Sequence, residues 1–219
     1  MTPSAVLVTD FDGTLTQHDF YQLALAELIP ADSPNFWADY RSGKITHFEA
    51  LQGYFSEIRV DEATVLEVVS RMQVDPQLSA SLDRLSAHGW RVIVASAGCD
   101  WYIRRLLADV RDRLEIYANP GEFIPGQGLV MQLPVGSPFL SPTLGVDKAG
   151  IVRHALQTSD RVAFAGDGYP DFEAARQVPD DRRFARGDLA IALQEAGLAY
   201  RPFAVWSEVA AALTEDSAS

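Results

Sequence analysis

Short apolar runs rich in β-branched residues recur along the chain, and each run is followed by a polar loop or a helical pattern. The clearest runs lie at residues 5–9, 90–96 and 161–165, and shorter ones lie at 114–118 and 183–185. Such runs predict buried strands. Strands that alternate with helices favour a parallel sheet that is covered on both faces. The sequence therefore predicts an α/β fold, with a parallel sheet as its core and helices on both faces.

The stretch between the first two predicted strands has a helical pattern. Its apolar residues recur at helical spacing in two groups, Phe20, Leu23 and Ala24 and then Phe48, Leu51, Phe55 and Ile58. This pattern predicts three or four helices. We therefore expect a helical-bundle cap at residues 17–76, inserted into a core made of residues 1–16 and 77–219. Farther along, the Gly- and Pro-rich stretch 119–145 contains two apolar runs that predict a small hairpin.

The composition argues against several classes of partner. The 219 residues carry 18 Lys and Arg against 30 Asp and Glu, a formal net charge of −12, which disfavours nucleic acid and anionic membrane surfaces. Cys99 is the one cysteine, so an internal disulfide is impossible and a reducing compartment is expected. The start of the chain does not resemble a targeting segment, and no apolar run approaches the ~18 residues of a membrane-spanning helix. We expect a cytoplasmic protein.

Polar residues stand at or near the ends of the predicted strands. They are Asp10 and Asp12 after the first strand, Ser96 at the end of the second, Lys148 at the start of a later helix, and Asp167 and Asp171 after the strand at 161–165. The carboxyl ends of parallel strands meet at one edge of a sheet, where open α/β sheets bind their ligands. We therefore expect these residues, although they are far apart in sequence, to converge on one site.

The residue types in this set suit phosphoryl transfer. Carboxylates from two strands can hold one Mg²⁺, which prefers one or two carboxylates together with water and substrate oxygens. The Ser96 hydroxyl and the backbone N–H groups of Ala97 and Gly98, at a predicted helix N-terminus, can cradle a phosphate. Lys148 adds a compact positive charge. The alternatives are a helix cap for Ser96 and for Asp171, and a solvated surface position for Lys148.

Four segments, taken in order, resemble the motifs of the haloacid dehalogenase superfamily: residues 10–16, residues 96–98, Lys148 and residues 166–171. The resemblance implies a Rossmann-like core and a covalent mechanism. Asp10 would attack phosphorus and form an aspartyl-phosphate. Asp12 would give a proton to the leaving oxygen and would then take one from the hydrolytic water.

The same resemblance implies the metal ligands and narrows the reaction. Mg²⁺ would be held by the Asp10 carboxylate, the Asp12 backbone carbonyl and Asp167, while Asp171 would orient water or Lys148. The dehalogenases of the superfamily need no second aspartate two residues after the nucleophile, so Asp12 favours a phosphatase. A phosphomutase, which shares this core, and a catalytically silent phosphate-binding protein remain as alternatives.

The helical insertion and residues 96–103 resemble the phosphoserine phosphatase branch of the superfamily. Asp19 matches an acidic position that in this branch meets the substrate amine. Two positions depart from the branch: Phe55 stands where an arginine binds the substrate carboxylate, and Pro170 stands where Asn is usual. An aromatic ring in place of a cation favours a leaving group with an apolar end.

Trp37, Tyr40 and Tyr54 are candidates to line such a pocket together with Phe55, and the alternative is that they form the core of the helical segment. The pattern resembles relatives of this branch that act on 2-hydroxy-3-keto-5-methylthiopentenyl-1-phosphate in methionine salvage, a substrate with an apolar methylthio end. We therefore expect a small-molecule phosphate ester of this kind as the partner, with phosphoserine as the alternative substrate. The sequence does not predict the oligomeric state.

Overall fold

A six-stranded sheet runs through the protein, whose computed structural model describes residues 5–215. The described strands are β1 (Ala5–Thr9), β2 (Trp90–Cys99), β3 (Glu115–Asn119), β4 (Gly121–Ile124), β5 (Gly128–Met131), β6 (Leu140–Ser141), β7 (Gly145–Val146), β8 (Arg161–Gly166), β9 (Arg183–Ala185) and β10 (Arg201–Pro202). The described α-helices are α1 (Phe20–Glu27), α2 (Phe36–Arg41), α3 (His47–Ser56), α4 (Glu62–Ser70), α5 (Leu78–Ala87), α6 (Asp100–Leu106), α7 (Lys148–Thr158), α8 (Phe172–Ala175), α9 (Gly187–Glu195) and α10 (Trp206–Glu215). None of these helices is long and apolar enough to cross a membrane. The first four and last four residues of the predicted core lie outside the described residues.

The order of the strands explains where this sheet can bind a ligand. Across the sheet the order is β10-β9-β8-β1-β2-β3, and every neighbouring pair is parallel. This confirms the predicted α/β fold. β2 and β3 lie on one side of β1, and β8, β9 and β10 lie on its other side. The carboxyl ends of β1 and β8 therefore flank the point where the strand order reverses, which is where open α/β sheets bind ligands.

The burial of β1 shows that the sheet is covered on both faces. All five of its residues are buried. Leu7 packs into one apolar cluster, whereas Val6 and Val8 pack into a second cluster, because successive side chains of a strand point to opposite faces. A continuous apolar run of this kind is typical of a parallel strand with helices on both sides.

Four helices, α1 to α4, lie within residues 17–76, in agreement with the predicted three or four, and α5 follows them before β2. The chain enters and leaves this helical segment side by side. The Gln17 N–H donates to the Gln73 carbonyl (2.9 Å), and the His18 N–H donates to the Met72 carbonyl (3.1 Å). Gln73 has a φ of 56°, a left-handed conformation that is uncommon for a residue other than glycine. The two connections therefore form one narrow junction with the sheet.

The Gly- and Pro-rich stretch 119–145 contacts helix α3. β4 and β5 form the predicted antiparallel hairpin, and the shorter pair of β6 and β7 is an addition to the prediction. The Gln52 side chain accepts a hydrogen bond from the Met131 N–H (2.5 Å), and the Thr143 carbonyl accepts one from the Phe48 N–H (2.9 Å). This stretch therefore links α3 to the rest of the chain at two places.

The end of β2 differs from the prediction. The sequence pattern predicts a strand that ends at Ser96 and a helix directly after Gly98, whereas β2 runs to Cys99 and α6 begins at Asp100. A register shift between Ala95 and Cys99 accompanies this longer strand. Residues 96–98 therefore form an irregular extension of the strand, and they are not the first residues of the following helix.

Candidate active site

The loops after β1 and β8 bring two aspartates to the carboxyl edge of the sheet. Asp10 directly follows β1, and its N–H donates to the Ala165 carbonyl in β8 (2.9 Å). Asp167 directly follows β8. Gly13 has a φ of 69°, and a Cβ at this position would collide with the Asp167 carboxylate. The close approach of the two loops therefore requires glycine at position 13.

Arg186 holds the loop after β1 in place. Its guanidinium donates to the carbonyl oxygens of Gly13 (2.6 Å), Thr16 (2.7 Å) and Ala204 (2.6 Å). It also lies over the Phe203 ring, 5.3 Å from the ring centroid. Arg186 was not among the residues predicted for the site. The available signal was its position directly after β9, at the same edge of the sheet as Asp10.

Lys148 is buried between two carboxylates. Its Nζ lies 2.7 Å from Asp10 Oδ1 and 2.6 Å from Asp171 Oδ1, and the residue is 3% exposed. A solvated surface position for Lys148 is therefore wrong. Burial alone would lower the pKa of Lys148, but the carboxylates of Asp10 and Asp171 raise it above its ordinary value. The lysine is therefore a charged ammonium group in contact with Asp10.

Asp171 supports two parts of the site. It is fully buried, and its Oδ1 accepts a hydrogen bond from Lys148. Its Oδ2 accepts hydrogen bonds from the N–H groups of Asp167 and Gly168, both at 3.1 Å. These contacts enable Asp171 to orient both Lys148 and the loop after β8.

Three of the aspartates are close enough to share one metal ion. Carboxylate oxygens of Asp10, Asp167 and Asp171 lie within 4.8 Å of one another, and Thr14 Oγ1 donates to Asp167 Oδ1 (2.9 Å). Burial, and then the negative charge of Asp171, raise the pKa of Asp10 well above its ordinary value and raise the pKa of Asp167 to about 7. A buried group of like charges of this kind suits a hard divalent cation, which prefers oxygen ligands.

Asp12 lies in a different hydrogen-bond network. The Tyr102 hydroxyl donates to both of its carboxylate oxygens (2.9 and 3.0 Å), and Ser96 Oγ donates to Oδ2 (3.2 Å). Burial, followed by the charges of Asp19 and Asp10, raises the pKa of Asp12 to about 8, which favours the protonated carboxyl group near neutral pH. A protonated carboxylic acid can serve as a general acid. Tyr102 lies in the run 96–103 that resembles the phosphoserine phosphatase branch, but the sequence predicts no role for it.

Residues 96–98 lie against Asp12. Ser96 is 1% exposed, and its Oγ accepts a hydrogen bond from the Gly98 N–H (2.9 Å). A Cβ at position 98 would collide with the Tyr102 hydroxyl and would lie close to Asp12, so glycine is needed there. The amides of Ala97 and Gly98 belong to the extended end of β2, and α6 begins two residues after Gly98, at Asp100.

One cavity of about 150 Å³ is lined by Asp10, Asp12, Lys148 and Asp167 and by Ser96, Ala97, Gly98 and Tyr102, whereas Asp171 is not among its lining residues. The helical segment supplies part of its wall, through Asp19, Tyr21, Trp37, His47, Leu51 and Phe55. The sequence analysis missed Tyr21, His47 and Leu51. Tyr21 and Leu51 follow the ordinary apolar spacing of a buried helix face. Residues that pack only against other helices have the same spacing, so the sequence does not distinguish the two kinds.

The four aromatic candidates in the helical segment have different environments. Phe55 and Trp37 line the cavity, and the Phe55 ring packs 5.3 Å from Phe20 between ring centroids. Tyr54 packs against Phe36 (5.0 Å between centroids), and Tyr40 is 41% exposed. Tyr54 therefore belongs to the core of the helical segment, as the alternative interpretation held.

Asp19 and Pro170 both line the cavity. Asp19 is also the N-cap of α1, where its Oδ1 accepts a hydrogen bond from the Gln22 N–H (3.1 Å). Burial raises the pKa of Asp19 above its ordinary value. Cys99 is buried and does not line this cavity, and burial raises the pKa of its thiol to about 12. It is therefore a packed residue and not a reactive thiol.

The fold and the site define a class of protein. The chain belongs to the haloacid dehalogenase-like hydrolase family, whose model matches residues 7–176, and it is a phosphatase of that family.

Individual relatives give a more detailed comparison. The chain is 24% identical over 212 residues to the 2-hydroxy-3-keto-5-methylthiopentenyl-1-phosphate phosphatase of Exiguobacterium sibiricum, covering 93% of each chain. It is 22% identical to the phosphatase of the same name from Bacillus pumilus, covering 94% of this chain and 89% of the relative. Among solved structures it resembles the phosphoserine phosphatase from T. onnurineus, with a TM-score of 0.63, 20% identity and 98% of both chains covered. At that identity the structural likeness shows the fold alone.

Proposed function

We propose that this protein is a Mg²⁺-dependent phosphomonoesterase that works through an aspartyl-phosphate on Asp10. The observation that carries the proposal is the contact of Asp10 with a buried lysine at the floor of the cavity. Lys148 Nζ lies 2.7 Å from Asp10 Oδ1, and the carboxylate of Asp167 stands on the neighbouring strand end. A carboxylate nucleophile beside a fixed positive charge is what transfer of an anionic phosphoryl group requires.

The covalent scheme has two steps. In the first, a carboxylate oxygen of Asp10 forms a bond to phosphorus, the bond from phosphorus to the leaving oxygen breaks, and Asp12 gives that oxygen its proton. In the second, Asp12 takes a proton from water while the water oxygen attacks phosphorus, and this releases inorganic phosphate and restores Asp10. The hydrogen bonds from Tyr102 and Ser96 hold the Asp12 carboxyl group in one orientation throughout.

The side chains present fit a magnesium ion. We propose that the carboxylates of Asp10 and Asp167 and the backbone carbonyl of Asp12 hold Mg²⁺. When bound, the ion would neutralise charge on the phosphoryl oxygens. Asp171 already accepts hydrogen bonds from Lys148 and from two backbone amides, so we assign it to positioning Lys148 and the loop that carries Asp167. We propose that Lys148 and the amides of residues 96–98 bind the phosphate.

We propose that residues 17–76 act as a cap over a core made of residues 1–16 and 77–219. Two features support this division. The segment joins the core through adjacent connections at residues 16–18 and 72–75, and its helices and the residue before α1 supply part of the wall of the cavity that contains Asp10, Asp12 and Asp167. A cap of this kind would leave the phosphate at the edge of the sheet and the leaving group among the helices.

The cavity favours a leaving group with an apolar end. Among its described lining residues, Lys148 is the one Lys or Arg, and its ammonium group is bound to Asp10 and Asp171. Within this cavity an amino-acid carboxylate would meet no further cation, whereas an apolar group would meet Phe55 and Trp37. Two further cations, Arg41 and Arg153, line the adjoining cavity. These contacts favour 2-hydroxy-3-keto-5-methylthiopentenyl-1-phosphate, the substrate in the names of the relatives, or a similar sugar phosphate.

Phosphoserine is the second candidate substrate, and Asp19 is the observation that supports it. This buried acid lines the cavity, where it can meet the amine of an amino acid. A panel of phosphate monoesters with Mg²⁺ tests the two candidates by release of inorganic phosphate. We expect the methylthio sugar phosphate to have the highest kcat/KM, and a higher value for phosphoserine would reverse the assignment. Isomerised phosphate esters as products would indicate a mutase, and binding without turnover of any ester would indicate a silent protein.

A further inference from the structure

Asn119 is a fully buried asparagine beside the irregular end of β2. It is the last residue of β3, and it pairs with Cys99 across the register shift in β2. Its Nδ2 donates a hydrogen bond to the Ala97 carbonyl (2.7 Å) and a longer one to the Leu144 carbonyl (3.4 Å). Carbonyl oxygens can only accept, so the nitrogen of the amide must face them. The side chain of Asn119 therefore holds the carbonyl of a residue that lines the cavity.

The other end of the same amide has no partner. Asn119 Oδ1 is buried, and within residues 5–215 it accepts no hydrogen bond. It lies against Gly145, which has a φ of 84° and where a Cβ would overlap this oxygen. A buried polar atom without a partner destabilises a fold, and such atoms are rare. An asparagine is therefore poorly suited to packing alone at this position, which points to a task for its Nδ2.

The Ala97 carbonyl belongs to the peptide group that also carries the Gly98 N–H. In a trans peptide these two groups point in opposite directions. The Gly98 N–H donates to Ser96 Oγ (2.9 Å), and Ser96 Oγ donates to Asp12 Oδ2 (3.2 Å). Asn119 and Ser96 thus bind the peptide group at its two ends. Gly98 has no side chain, so it lines the cavity with backbone atoms alone.

Glycine at position 98 makes an external hold on this peptide group necessary. A Cβ there would collide with the Tyr102 hydroxyl, so no larger residue fits, but glycine leaves the backbone free to rotate. Rotation of the peptide group between Ala97 and Gly98 would exchange the directions of its carbonyl and its N–H. A carbonyl oxygen would then repel an anion where an N–H had bound it. The hydrogen bond from Asn119 opposes this rotation, because the rotation would break it.

We infer that Asn119 is a positioning residue for phosphate binding, because it keeps the Ala97–Gly98 peptide group in the orientation that binds a phosphate. This inference rests on the proposed function, in which Lys148 and the amides of residues 96–98 bind the phosphate. Asn119 is not among the residues that line the cavity. Its loss should therefore weaken the binding of every phosphate to the same extent, whatever leaving group the phosphate carries.

Two variants with opposite properties remove the hydrogen bond. Asn119→Leu keeps the size of the side chain but has no donor, whereas Asn119→Ser keeps a hydroxyl on a side chain that is one bond too short to reach the Ala97 carbonyl. Thr214→Val is the matched control. It also removes a buried hydrogen bond, from the Thr214 hydroxyl to the Ala210 carbonyl (2.9 Å), but in α10. Urea denaturation of each variant measures the loss of stability separately from the loss of binding.

The probe is inorganic phosphate, measured as a competitive inhibitor of phenyl phosphate hydrolysis with Mg²⁺. We expect its inhibition constant to rise about tenfold in both Asn119 variants, the size of one lost hydrogen bond. It should stay at the wild-type value in Thr214→Val. The ratio of kcat/KM for phenyl phosphate and the methylthio sugar phosphate should be the same in all four proteins.

An unchanged inhibition constant in a folded Asn119 variant would overturn the inference, and if one of the two variants does not fold, the other decides. An equal rise in Thr214→Val would also overturn it, because the effect would then follow from lower stability. A changed substrate ratio in the Asn119 variants would show that the residue acts on the leaving group instead. A wild type that hydrolyses no phosphate ester would contradict the proposed function.

Discussion

The loops at the carboxyl edge of the sheet and the helices α1 to α4 line the same cavity, but they position their side chains in different ways. Each acidic residue of the loops is held by contacts close to a strand end. The Asp10 N–H is bonded to the Ala165 carbonyl, and Asp171 accepts hydrogen bonds from the Asp167 and Gly168 amides. The helical segment instead contributes single side chains whose orientation depends on packing between helices, such as Phe55 against Phe20.

This difference separates the chemistry from the choice of substrate. The loops cannot change without disturbing backbone that is fixed on several sides, since Gly13 and Gly98 have no room for a Cβ. A side chain on a helix face can be replaced while the helix remains intact. We therefore expect changes in the loops to remove the reaction itself, and changes in the helical segment to alter which ester is used.

The largest effect is expected for Asp10→Asn. An amide is a much poorer nucleophile than a carboxylate, and the variant also weakens the metal site, so phosphate release should fall by roughly 10⁴-fold or more. The fold should persist, because Lys148 keeps its bond to Asp171. Steady-state assays with phenyl phosphate, together with far-UV circular dichroism, would measure both quantities. Asp32→Asn, at an exposed site, is the control, and retained turnover in Asp10→Asn would refute the covalent scheme.

Removal of the metal should have the next largest effect. Chelation by EDTA is expected to lower phosphate release by roughly 10²- to 10³-fold, because a metal ion contributes several kcal/mol of charge stabilisation in the transition state. Added Mg²⁺ should restore the activity. Asp167→Asn should reproduce the loss and resist rescue by Mg²⁺. Activity that is indifferent to EDTA would remove Asp167 from the proposed role.

These two predictions concern the part of the site that the sequence allows one to predict. Asp10 and Asp167 directly follow apolar runs that form β1 and β8, and the topology of a parallel sheet brings such positions together. Tyr102 and Arg186 could not be assigned in this way. Tyr102 lies inside helix α6 and not at a strand end, so no topological rule brings it to Asp12. Arg186 does follow a strand, β9, but that strand has only three residues, and its contact with the Gly13 carbonyl depends on the folded loop.

The fold also contains elements that the sequence pattern does not predict. β10 and the pair of β6 and β7 are strands of two residues each, too short to have a periodic pattern, and they depend on tertiary contacts. The extension of β2 to Cys99 is set by its pairing with Asn119 in β3. The sequence pattern placed long apolar strands and helices correctly, and it missed elements that pairing alone creates.

Phe55→Arg tests the helical side of the comparison. Phe55 is fully buried and lines the cavity, so the variant removes apolar contact and introduces a cation. We expect kcat/KM for the methylthio sugar phosphate to fall roughly 10- to 100-fold and activity toward phosphoserine to rise relative to it. Phe55→Leu keeps the site apolar and should retain the original preference. If Phe55→Arg folds and its substrate ratio is unchanged, Phe55 does not contact the leaving group.

Tyr102→Phe tests a contact between α6 and the loop after β1. The Tyr102 hydroxyl donates to the Asp12 carboxylate and so favours its ionised form, and its removal should raise the pKa of Asp12 further. The activity lost at alkaline pH, where the general acid loses its proton, should therefore begin at higher pH in the variant. We expect kcat to fall about tenfold, as for loss of one hydrogen bond to a charged group. A pH–rate profile identical to that of the wild type would show that Tyr102 does not influence Asp12.

The smallest effect concerns stability in acid and again involves the helical segment. The pKa of His47 is about 4 in the folded protein, below the ordinary value near 6.5 that applies when the chain unfolds. Between these values the unfolded chain binds more protons, so the free energy of unfolding decreases as the pH falls from 6.5 toward 4.

His47→Asn removes this dependence of the free energy of unfolding on pH. The loss of stability between pH 7 and pH 5.5, measured from urea denaturation, should be about 1 kcal/mol smaller in His47→Asn than in the wild type. His88→Asn, at an exposed site, should follow the wild type. Equal losses in all three proteins would mean that folding does not lower the pKa of His47.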